Sequence, residues 1–418
     1  MAQSSSKRRA GKPPASSLAP LVAVVIDPSL PYDREVAKGV AQYARETGDW
    51  RLYVEEEHDR RLPDFDVWPG HGIIASFDTE RVARLVSAAG LPIVAVGGGG
   101  GAFDAASGIP HVRSDDERIA TLAAEHLLER ALPHFGFYGH APSRVTVWAD
   151  KRCEAFTRRV QAAGKSVQTL IPRHDSTRWS LLQDELKAWL AALPKPVGIM
   201  ACHDVRARHL LDVCRSLGLR VPHDVAVIGV DDDEFVCELC EPPLSSVAHA
   251  ARSVGHEAAR LLDRLMRPTR SAAEKKTAGS VPRCTLVPPV GVVARRSTDT
   301  LAVDDPVIAA AIRTIRERAA NGLEIAELVT ASKLSRWQLE DRFRRLVGRS
   351  IHDDILHVRL NEARRLVTTT DLPLKLIAPR SGFRSVAYMT TLFRRHFNAT
   401  PAALRAWAHG RGEPADSR

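Results

Sequence analysis

Two short segments near the end of the chain combine residue types that bind an anionic polymer. Each has a serine followed eight residues later by a phenylalanine and two arginines: Ser335 with Phe343-Arg344-Arg345, and Ser385 with Phe393-Arg394-Arg395. A serine at a helix start accepts a hydrogen bond from an unpaired backbone amide. Arginine side chains bind phosphates and base edges. The combination predicts two short helices that bind DNA.

The spacing of apolar residues also predicts these two helices. Met389, Phe393 and Phe397 recur every four residues and predict a helix of about 12 residues, buried on one side and ending at Asn398. Fifty residues upstream the pattern recurs, with Leu339 in the place of Met389. A repeated offset predicts two copies of a helix-turn-helix unit. The alternative is an ordinary bundle of amphipathic helices, but packing gives no reason for the paired arginines.

The recognition helix of the first unit, residues 335–346 and here called the first reading helix, has side chains suited to base recognition. We expect Leu339, Phe343 and Leu346 to face inward. The outward residues are then Arg336, Trp337, Gln338, Asp341, Arg342 and Arg345. Arginine can bond guanine and glutamine can bond adenine, and a good pair discriminates between bases by about 1–3 kcal/mol. An aspartate can accept from a cytosine amino group.

The second reading helix offers fewer hydrogen-bonding groups. Its outward residues are small: Val386, Ala387, Thr390 and Thr391. They predict apolar contacts, such as a thymine methyl group against Thr391, while the nearby arginines are predicted to bind phosphates. We therefore expect residues 335–346 to provide more of the sequence discrimination. The predicted DNA-binding set is Arg336, Trp337, Gln338, Asp341, Arg342, Arg345, Arg384, Ser385, Ala387, Thr390, Thr391, Arg394 and Arg395.

A second group of functional side chains follows the predicted strands of the preceding region. Carboxylates accept pairs of sugar hydroxyls, arginine donates to sugar oxygens, and an aromatic ring covers a C–H face. The predicted ligand-binding residues are Asp33, Asp78, Trp148, Arg152, Asp204 and Asp231. A structural role is the alternative for each, and Asp204 in particular could cap its helix.

The elements that position these side chains alternate along residues 21–294. The fully apolar run at 21–26 is typical of a buried parallel strand. Strand–helix alternation over this length predicts doubly wound α/β structure in two lobes, with a ligand cleft at the carboxyl ends of the strands. We expect a disordered basic tail at 1–20, the two-lobed sensor at 21–294, a linker at 295–305 and an all-helical DNA-binding domain at 306–410.

Charge is distributed unevenly along the 418 residues, which carry a formal net charge of +9. Residues 295–418 hold 22 Lys and Arg against 14 Asp and Glu, whereas residues 21–294 hold 33 against 36. This distribution is expected if only the C-terminal part binds phosphates. No run of 18 apolar residues is present, so we expect no membrane-spanning helix, and the start of the chain lacks the apolar core of a signal peptide.

Other motifs are weak signals for chemistry. Cys237-Glu-Leu-Cys240 is a single CxxC without a second ligand pair, so free thiols are a better interpretation than a zinc or redox site. The glycine run at 97–101 lacks the residues of a nucleotide-binding loop and predicts a flexible loop. His203 and His209 lie six residues apart, on different helical faces. We expect no metal, no cofactor and no catalytic group.

The C-terminal hundred residues resemble the AraC-type transcription regulators. The resemblance rests on Ile377-Ala378, Ser381-Gly382-Phe383, Phe393-Arg394-Arg395 and Thr400-Pro401. Two departures stand out. Pro379 lies inside the first helix of the second unit, which we therefore expect to begin near residue 373 and end early. Asp341 and Thr391 stand where these regulators usually have a basic residue, which predicts different DNA half-sites.

Residues 21–294 resemble the effector domain of LacI-type regulators, which shares its fold with periplasmic sugar-binding proteins. The matching segments are 197–204 (VGIMACHD), 227–232 (VIGVDD) and 286–298. Arg152, Asp204 and Asp231 fall where LacI-type proteins hold their ligands.

The two resemblances together imply a cytoplasmic transcription regulator that is not an enzyme. Its implied partners are an operator DNA, a small sugar such as a pentose, RNA polymerase and a second copy of the chain. The alternatives are a regulator that senses a different sugar and a sugar-binding protein with a basic appendage.

Overall fold

The computed structural model describes residues 19–47, 50–54, 68–97, 108–141, 146–174, 176–267, 282–299, 305–347, 349–397 and 399–408. The predicted basic tail up to residue 18, the glycines at 98–101, the linker at 300–304 and the helix ends at 348 and 398 lie outside these residues. The strands are β1 (Leu21–Val25), β2 (Arg51–Val54), β3 (Gly72–Ser76), β4 (Ile93–Val96), β5 (His111–Ser114), β6 (His134–Tyr138), β7 (Val167–Leu170), β8 (Val197–Ala201), β9 (Val225–Asp231), β10 (Ser245–Ala248), β11 (Cys284–Val287) and β12 (Gly291–Val293).

The α-helices alternate with these strands and then continue alone. They are α1 (Pro31–Thr47), α2 (Glu80–Ser87), α3 (Asp116–Leu128), α4 (Val147–Gln161), α5 (Trp179–Ala192), α6 (Asp204–Ser216), α7 (Glu234–Leu239), α8 (Ala251–Met266), α9 (Pro306–Arg318), α10 (Ile325–Ser332), α11 (Arg336–Val347), α12 (Ile351–Thr369), α13 (Leu374–Arg380), α14 (Val386–Phe397) and α15 (Pro401–Ala408). None of the helices described is long and apolar enough to cross a membrane.

The strands form two six-stranded sheets, in the orders β11-β5-β4-β3-β1-β2 and β12-β10-β9-β8-β6-β7. All pairings are parallel except that of β10 with β12. The chain passes between the lobes after β5, after β10 and between β11 and β12. The predicted two-lobed α/β fold followed by a helical domain is confirmed.

Each sheet is covered on both faces, which explains the continuous apolar runs of its central strands. Along β1, Val22 and Val24 belong to the core beneath α1 and α8, whereas Ala23 and Val25 belong to the core beneath α2. Successive strand residues point to opposite faces, so both sets must be apolar. The strand ends that carry polar residues are thereby held at fixed positions along the cleft.

The helical domain contains two units that repeat at the predicted offset. The Ser335 hydroxyl accepts from the amide of Gln338 at 3.3 Å, and that of Ser385 accepts from the amide of Tyr388 at 3.3 Å. Leu339 and Phe343 belong to the core of the first unit, and Met389 and Phe393 occupy the same positions in the second. The helix α12 contributes side chains to both cores.

Three details differ from or refine the sequence expectations. Leu346, expected to face inward, is 43% exposed, because α11 is buried mainly along the line of Leu339 and Phe343. Ser297 and Thr298, which we assigned to the linker, are fully buried against the second sheet. The helix containing Pro379 is short, as expected: α13 begins after Pro373 and has seven residues.

Candidate ligand cleft and nucleic-acid interface

Tyr32, at the start of α1, lies where the two lobes meet. The Ser114 hydroxyl, at the end of β5, lies 3.3 Å from the Tyr32 hydroxyl. Burial raises the pKa of Tyr32 well above its usual value, and the carboxylates of Asp33, Asp78 and Asp116 raise it further. These carboxylates come from different elements but act on the same hydroxyl. The structure therefore brings Asp33 and Asp78 near each other, beside Tyr32.

Asp33 has an unused acceptor. Its side chain is fully buried, and Oδ2 accepts from the amide of Asp27 at 2.8 Å, but no partner within the described residues reaches Oδ1. Burial, followed by the charge of Asp78, raises the pKa of Asp33 to about 8. A buried polar atom without a partner costs stability unless something binds it. Asp33 therefore has an oxygen open to a ligand hydroxyl, and that oxygen accepts when the carboxyl is ionised and donates when it is protonated.

Asp78 follows β3 at the same edge of the N-terminal lobe. Its carboxylate accepts a hydrogen bond from the Ser76 hydroxyl. A Cβ at Gly97, whose φ is +66°, would come within 2.8 Å of that hydroxyl and 3.0 Å of the Asp78 carboxylate. Glycine at 97 thus lets the chain pass close behind the acidic side of the cleft.

Arg152 and Trp148 both lie on α4 of the C-terminal lobe. The Arg152 guanidinium lies 4.6 Å from the centre of the Trp148 ring. It donates to Asp116 Oδ1 at 2.9 Å and to the carbonyl of Cys202 at 2.6 Å. Because guanidinium has five N–H donors, these partners leave donors for a ligand. Two further rings, those of His140 and His203, have centroids 6.3 Å and 5.9 Å from that of Trp148.

Asp231 ends β9 and is tied to the other lobe through His249. Its Oδ1 lies 2.8 Å from His249 Nε2, and His249 Nδ1 lies 3.2 Å from the Ser114 hydroxyl. Burial alone would raise the pKa of Asp231, but the bond from His249 and the nearby Arg152 bring it below its usual value. The φ of Asp231 is +118°, a strained value for a residue other than glycine. Strain of this kind is typical of binding sites.

Asp204 has a different environment from the other predicted ligand residues. It accepts from the Ser246 hydroxyl at 2.6 Å and from the amide of Asp233 at 2.9 Å. A Cβ at Gly229 would lie 2.1 Å from its Oδ1, so its carboxylate also packs tightly on β9. It is the first residue of α6 and not the cap, which is His203. These contacts make Asp204 a structural link between β9, β10 and the segment before α7.

The sequence reading missed Tyr32, Ser114 and His249. Tyr32 and Ser114 follow the rule that predicted the others, because they lie just after or at the end of parallel strands. His249 lies in the second crossing between the lobes, and nothing in the sequence marks that crossing. A cavity of about 860 Å³ is lined by Tyr32, Asp231 and His249, together with α1 side chains and Thr368 of the helical domain.

The predicted outward residues of the first reading helix are accessible, and several are ion-paired. Trp337 is 74% exposed. Arg336 pairs with Glu340 at 2.9 Å, and Arg345 pairs with Asp341. These pairs are exposed and one helical turn apart, so each is worth only about 0.3–0.5 kcal/mol and can be exchanged for DNA. Arg342 lies 3.5 Å from Asp305 at the start of α9.

On the second reading helix, Arg394 and Arg395 are exposed, and no ion pair to another described residue is found for either. Ala387 and Thr391 are exposed, whereas Val386 and Thr390 are half-buried. Arg384 is highly exposed and pairs with Glu324 of the first unit at 2.7 Å. Tyr388, which sequence reasoning omitted, is half-exposed at the position that matches Gln338 by the repeat.

Sequence models of three domains match successive parts of the chain. The XylR N-terminal domain matches residues 21–117, a periplasmic binding protein-like domain matches residues 124–298, and a helix-turn-helix domain matches residues 328–406. The first match covers most of the first lobe, the second covers the sensor from residue 124 onward, including α8 and β11 of the first lobe, and the third covers the two reading units.

Relatives of similar length share the whole arrangement. The xylose operon regulatory protein of Escherichia coli (strain K12) is 34% identical over 378 residues, which cover 90% of this chain and 94% of the relative. The protein of the same name from Haemophilus influenzae is 30% identical, covering 92% and 97%.

Solved structures agree with this similarity. A xylose-binding transcription activator, xylR, is 32% identical with a TM-score of 0.59, covering 93% of this chain and 98% of that one. A periplasmic binding protein/LacI transcriptional regulator from Alkaliphilus metalliredigens, solved with D-xylulofuranose, has a TM-score of 0.51 at 18% identity over 67% of this chain. The latter supports the fold of the sensor alone.

Proposed function

The chain belongs to the family of xylose operon regulatory proteins, and from that membership we propose that D-xylose bound between its two lobes controls the binding of its helix-turn-helix pair to an operator. The observation that carries the proposal is the unused Oδ1 of the buried Asp33. It lies near Asp78 and Tyr32. We propose that the ligand also reaches Trp148 and Arg152, which supply an aromatic face and N–H donors for a small polyhydroxylated ligand.

Each proposed sugar contact follows from its chemistry. Asp33 and Asp78 form hydrogen bonds with sugar hydroxyls, Arg152 donates to hydroxyl or ring oxygens, and Trp148 covers a C–H face of the sugar. Asp231, held by His249, accepts from the C-terminal lobe. Asp204 is not included, because its carboxylate already holds protein groups.

The DNA contacts are proposed on the exposed side of α11 and α14. Arg336, Gln338 and Arg342 read base edges, with Trp337, Asp341 and Arg345 beside them. Arg394 and Arg395 bind phosphates and fix the orientation of the second unit. Arg384 also binds a phosphate, once the phosphate has replaced Glu324 as its ion-pair partner. Ser385, Ala387, Thr390 and Thr391 approach the backbone and apolar base edges.

The remaining parts of the proposal rest on the family. We propose a cytoplasmic homodimer that activates transcription through RNA polymerase, because the structural relative carries the name of an activator. Two half-sites on the operator would then match two copies of the chain. No catalytic role is proposed.

Calorimetry of the full-length protein against a panel of sugars tests the sensing half of the proposal. We expect D-xylose to bind, and Asp33→Asn or Trp148→Ala to weaken binding at least about tenfold, because each removes a contact worth ~1.4 kcal/mol or more. The matched control is Asp212→Asn, which removes an exposed carboxylate paired with Arg208.

The outcomes separate the alternatives. Tight binding of another sugar, with xylose silent, would retain the regulator but replace its ligand. Absence of heat with every sugar, or equal binding by Asp33→Asn and the control, would contradict the assigned cleft.

A further inference from the structure

The helix α12, which separates the two reading units, contacts the C-terminal lobe through its first half. His357 Nε2 lies 2.7 Å from Glu129 Oε1, and Arg349 Nη1, just before the helix, lies 3.9 Å from the same oxygen. Glu129 is the residue that ends α3 of the sensor. All three side chains are largely shielded from solvent, so this contact is stronger than an exposed pair.

Residues at the end of α3 also bind the segment through which the chain leaves the sensor. Arg130 donates to the carbonyl of Thr298 at 2.6 Å, and His126 Nε2 lies 2.8 Å from the Thr298 hydroxyl. Burial alone would raise the pKa of Glu129, but His357, Arg349 and Arg130 bring it below its usual value. Glu129 is therefore an ionised group that joins the sensor to the helical domain with the two reading units, here called the reading domain.

The middle of α12 contacts a segment that crosses between the lobes. Arg364 is almost fully buried and lies 5.0 Å from the centre of the Phe397 ring of α14. A Cβ at Gly291, whose φ is +147°, would lie 2.4 Å from the Arg364 guanidinium carbon. The guanidinium thus packs directly on the backbone where β11 leads into β12. Only glycine leaves room for it.

The last part of the reading domain contacts the N-terminal lobe. Leu404, on α15, packs against the core beneath α1 and α8 and also against the core of the second reading unit. Thr368, near the end of α12, lines the cavity that includes Tyr32 and Asp231. The reading domain therefore contacts both lobes and the segment between them.

This arrangement restricts how the lobes can move. The 19 residues of α12 span about 28 Å at 1.5 Å per residue, and its side chains form part of both reading cores. Packed cores are not continuously deformable. A change in the angle between the lobes must therefore break the contacts of the reading domain with one lobe, or it must rotate the reading domain.

We propose that α12 is the element through which lobe closure reaches the DNA-reading units, and that Glu129 is a positioning residue that anchors it to the C-terminal lobe. This inference rests on the proposed function, since it names the contacts by which the cleft controls the readers. Because linkage is reciprocal, operator binding must alter xylose affinity through the same contacts.

The test measures the coupling factor, defined as the ratio of operator dissociation constants without and with saturating D-xylose. Full-length wild type is compared with Glu129→Gln, which keeps side-chain size and removes the charge. The control is Glu117→Gln. Glu117 lies on α3, as Glu129 does, but its carboxylate pairs with Arg158 of α4, within the sensor. We expect Glu129→Gln to reduce the coupling factor at least about threefold, and the control to leave it unchanged.

The coupling factor is a readout that a purely structural role would not move, and reciprocity allows it to be checked from the sugar side. The ratio of xylose dissociation constants without and with operator should fall by the same factor in Glu129→Gln. Hydrogen exchange provides a second measurement on the wild type: amides of residues 351–360 and 125–130 should change protection together when xylose is added.

The results distinguish two kinds of failure. A wild-type coupling factor of one would contradict the proposed function itself. A coupled wild type with equal factors in Glu129→Gln and Glu117→Gln, or with no joint change in exchange, would leave the regulator in place and overturn the role of Glu129.

Discussion

Asp33, a proposed sugar ligand, also lowers the stability of the folded protein as its carboxyl ionises. The folded protein raises its pKa from an ordinary value of 3.8 to about 8, chiefly through burial and then through Asp78. Between those values the folded protein holds a proton that the unfolded chain releases. Stability contributed by the neutral carboxyl is therefore fully present below about pH 4 and is lost as the pH rises toward 8.

Asp33→Asn should remove this pH dependence, because the amide does not ionise. We expect the variant to melt above wild type by a margin that grows from pH 5 to pH 8 by at least about 2–4 °C, equivalent to ~1 kcal/mol in a domain of this size. Thermal melts without sugar at several pH values measure the margin. A margin that stays constant, as expected for the control Asp212→Asn, would show that Asp33 is not buried as described.

At the residue scale, the sequence predicted those side chains whose position follows from strand order alone. Asp33, Asp78, Arg152 and Asp231 follow parallel strands, and the structure brings Asp33 near Asp78 and Arg152 near Asp231. Asp204 follows a strand as well, but its carboxylate turns toward β10 because Gly229 leaves space on that side. Side-chain direction of this kind depends on packing between elements and cannot be read from one strand.

At the scale of elements, the two reading helices share a backbone but differ in chemistry. On α11, Arg336 and Gln338 are exposed and able to bond bases, whereas α14 has Ala387 and Thr391 at its exposed face. Arg394 and Arg395 follow on α14, where they suit phosphates. Discrimination should therefore come mainly from the first unit.

Alanine substitutions measure this division. Arg336→Ala should reduce discrimination between the cognate operator and single-base variants by about 1–3 kcal/mol, because a bidentate contact is lost. Thr391→Ala should have a smaller effect. Arg394→Ala should weaken binding to every sequence and reduce the salt slope by about one. Fluorescence anisotropy on an operator series gives all three values, and a larger specificity loss for Thr391→Ala would reverse the assignment.

The repeat made these elements predictable, since one set of caps and apolar positions could be checked against another. Both serine caps and both buried pairs occupy the expected positions. Leu346 was placed wrongly, because the buried side of α11 is confined to the line of Leu339 and Phe343. Its partner in the repeat, His396, is likewise exposed.

At the scale of the whole molecule, composition separates a slightly acidic sensor from a basic reading domain. The uneven charge predicted that the C-terminal part binds DNA, and strand–helix alternation predicted the lobes. The predicted boundary at residue 295 was too early, because Ser297 and Thr298 are buried against the second sheet. The sequence did not predict that Glu129 contacts His357 or that Arg364 packs on Gly291. Those contacts join residues more than 70 positions apart, and neither pattern nor spacing in the sequence indicates them.

The central claim is that sugar in the cleft controls DNA binding by the same chain. The most direct measurement is the affinity of the full-length protein for its operator at fixed salt, with and without D-xylose. We predict a change of about 5–150-fold on adding the sugar, which is the usual range for coupled sites. Asp33→Asn should lose that change and still bind the operator. An affinity that xylose leaves unaltered in the wild type would contradict the claim.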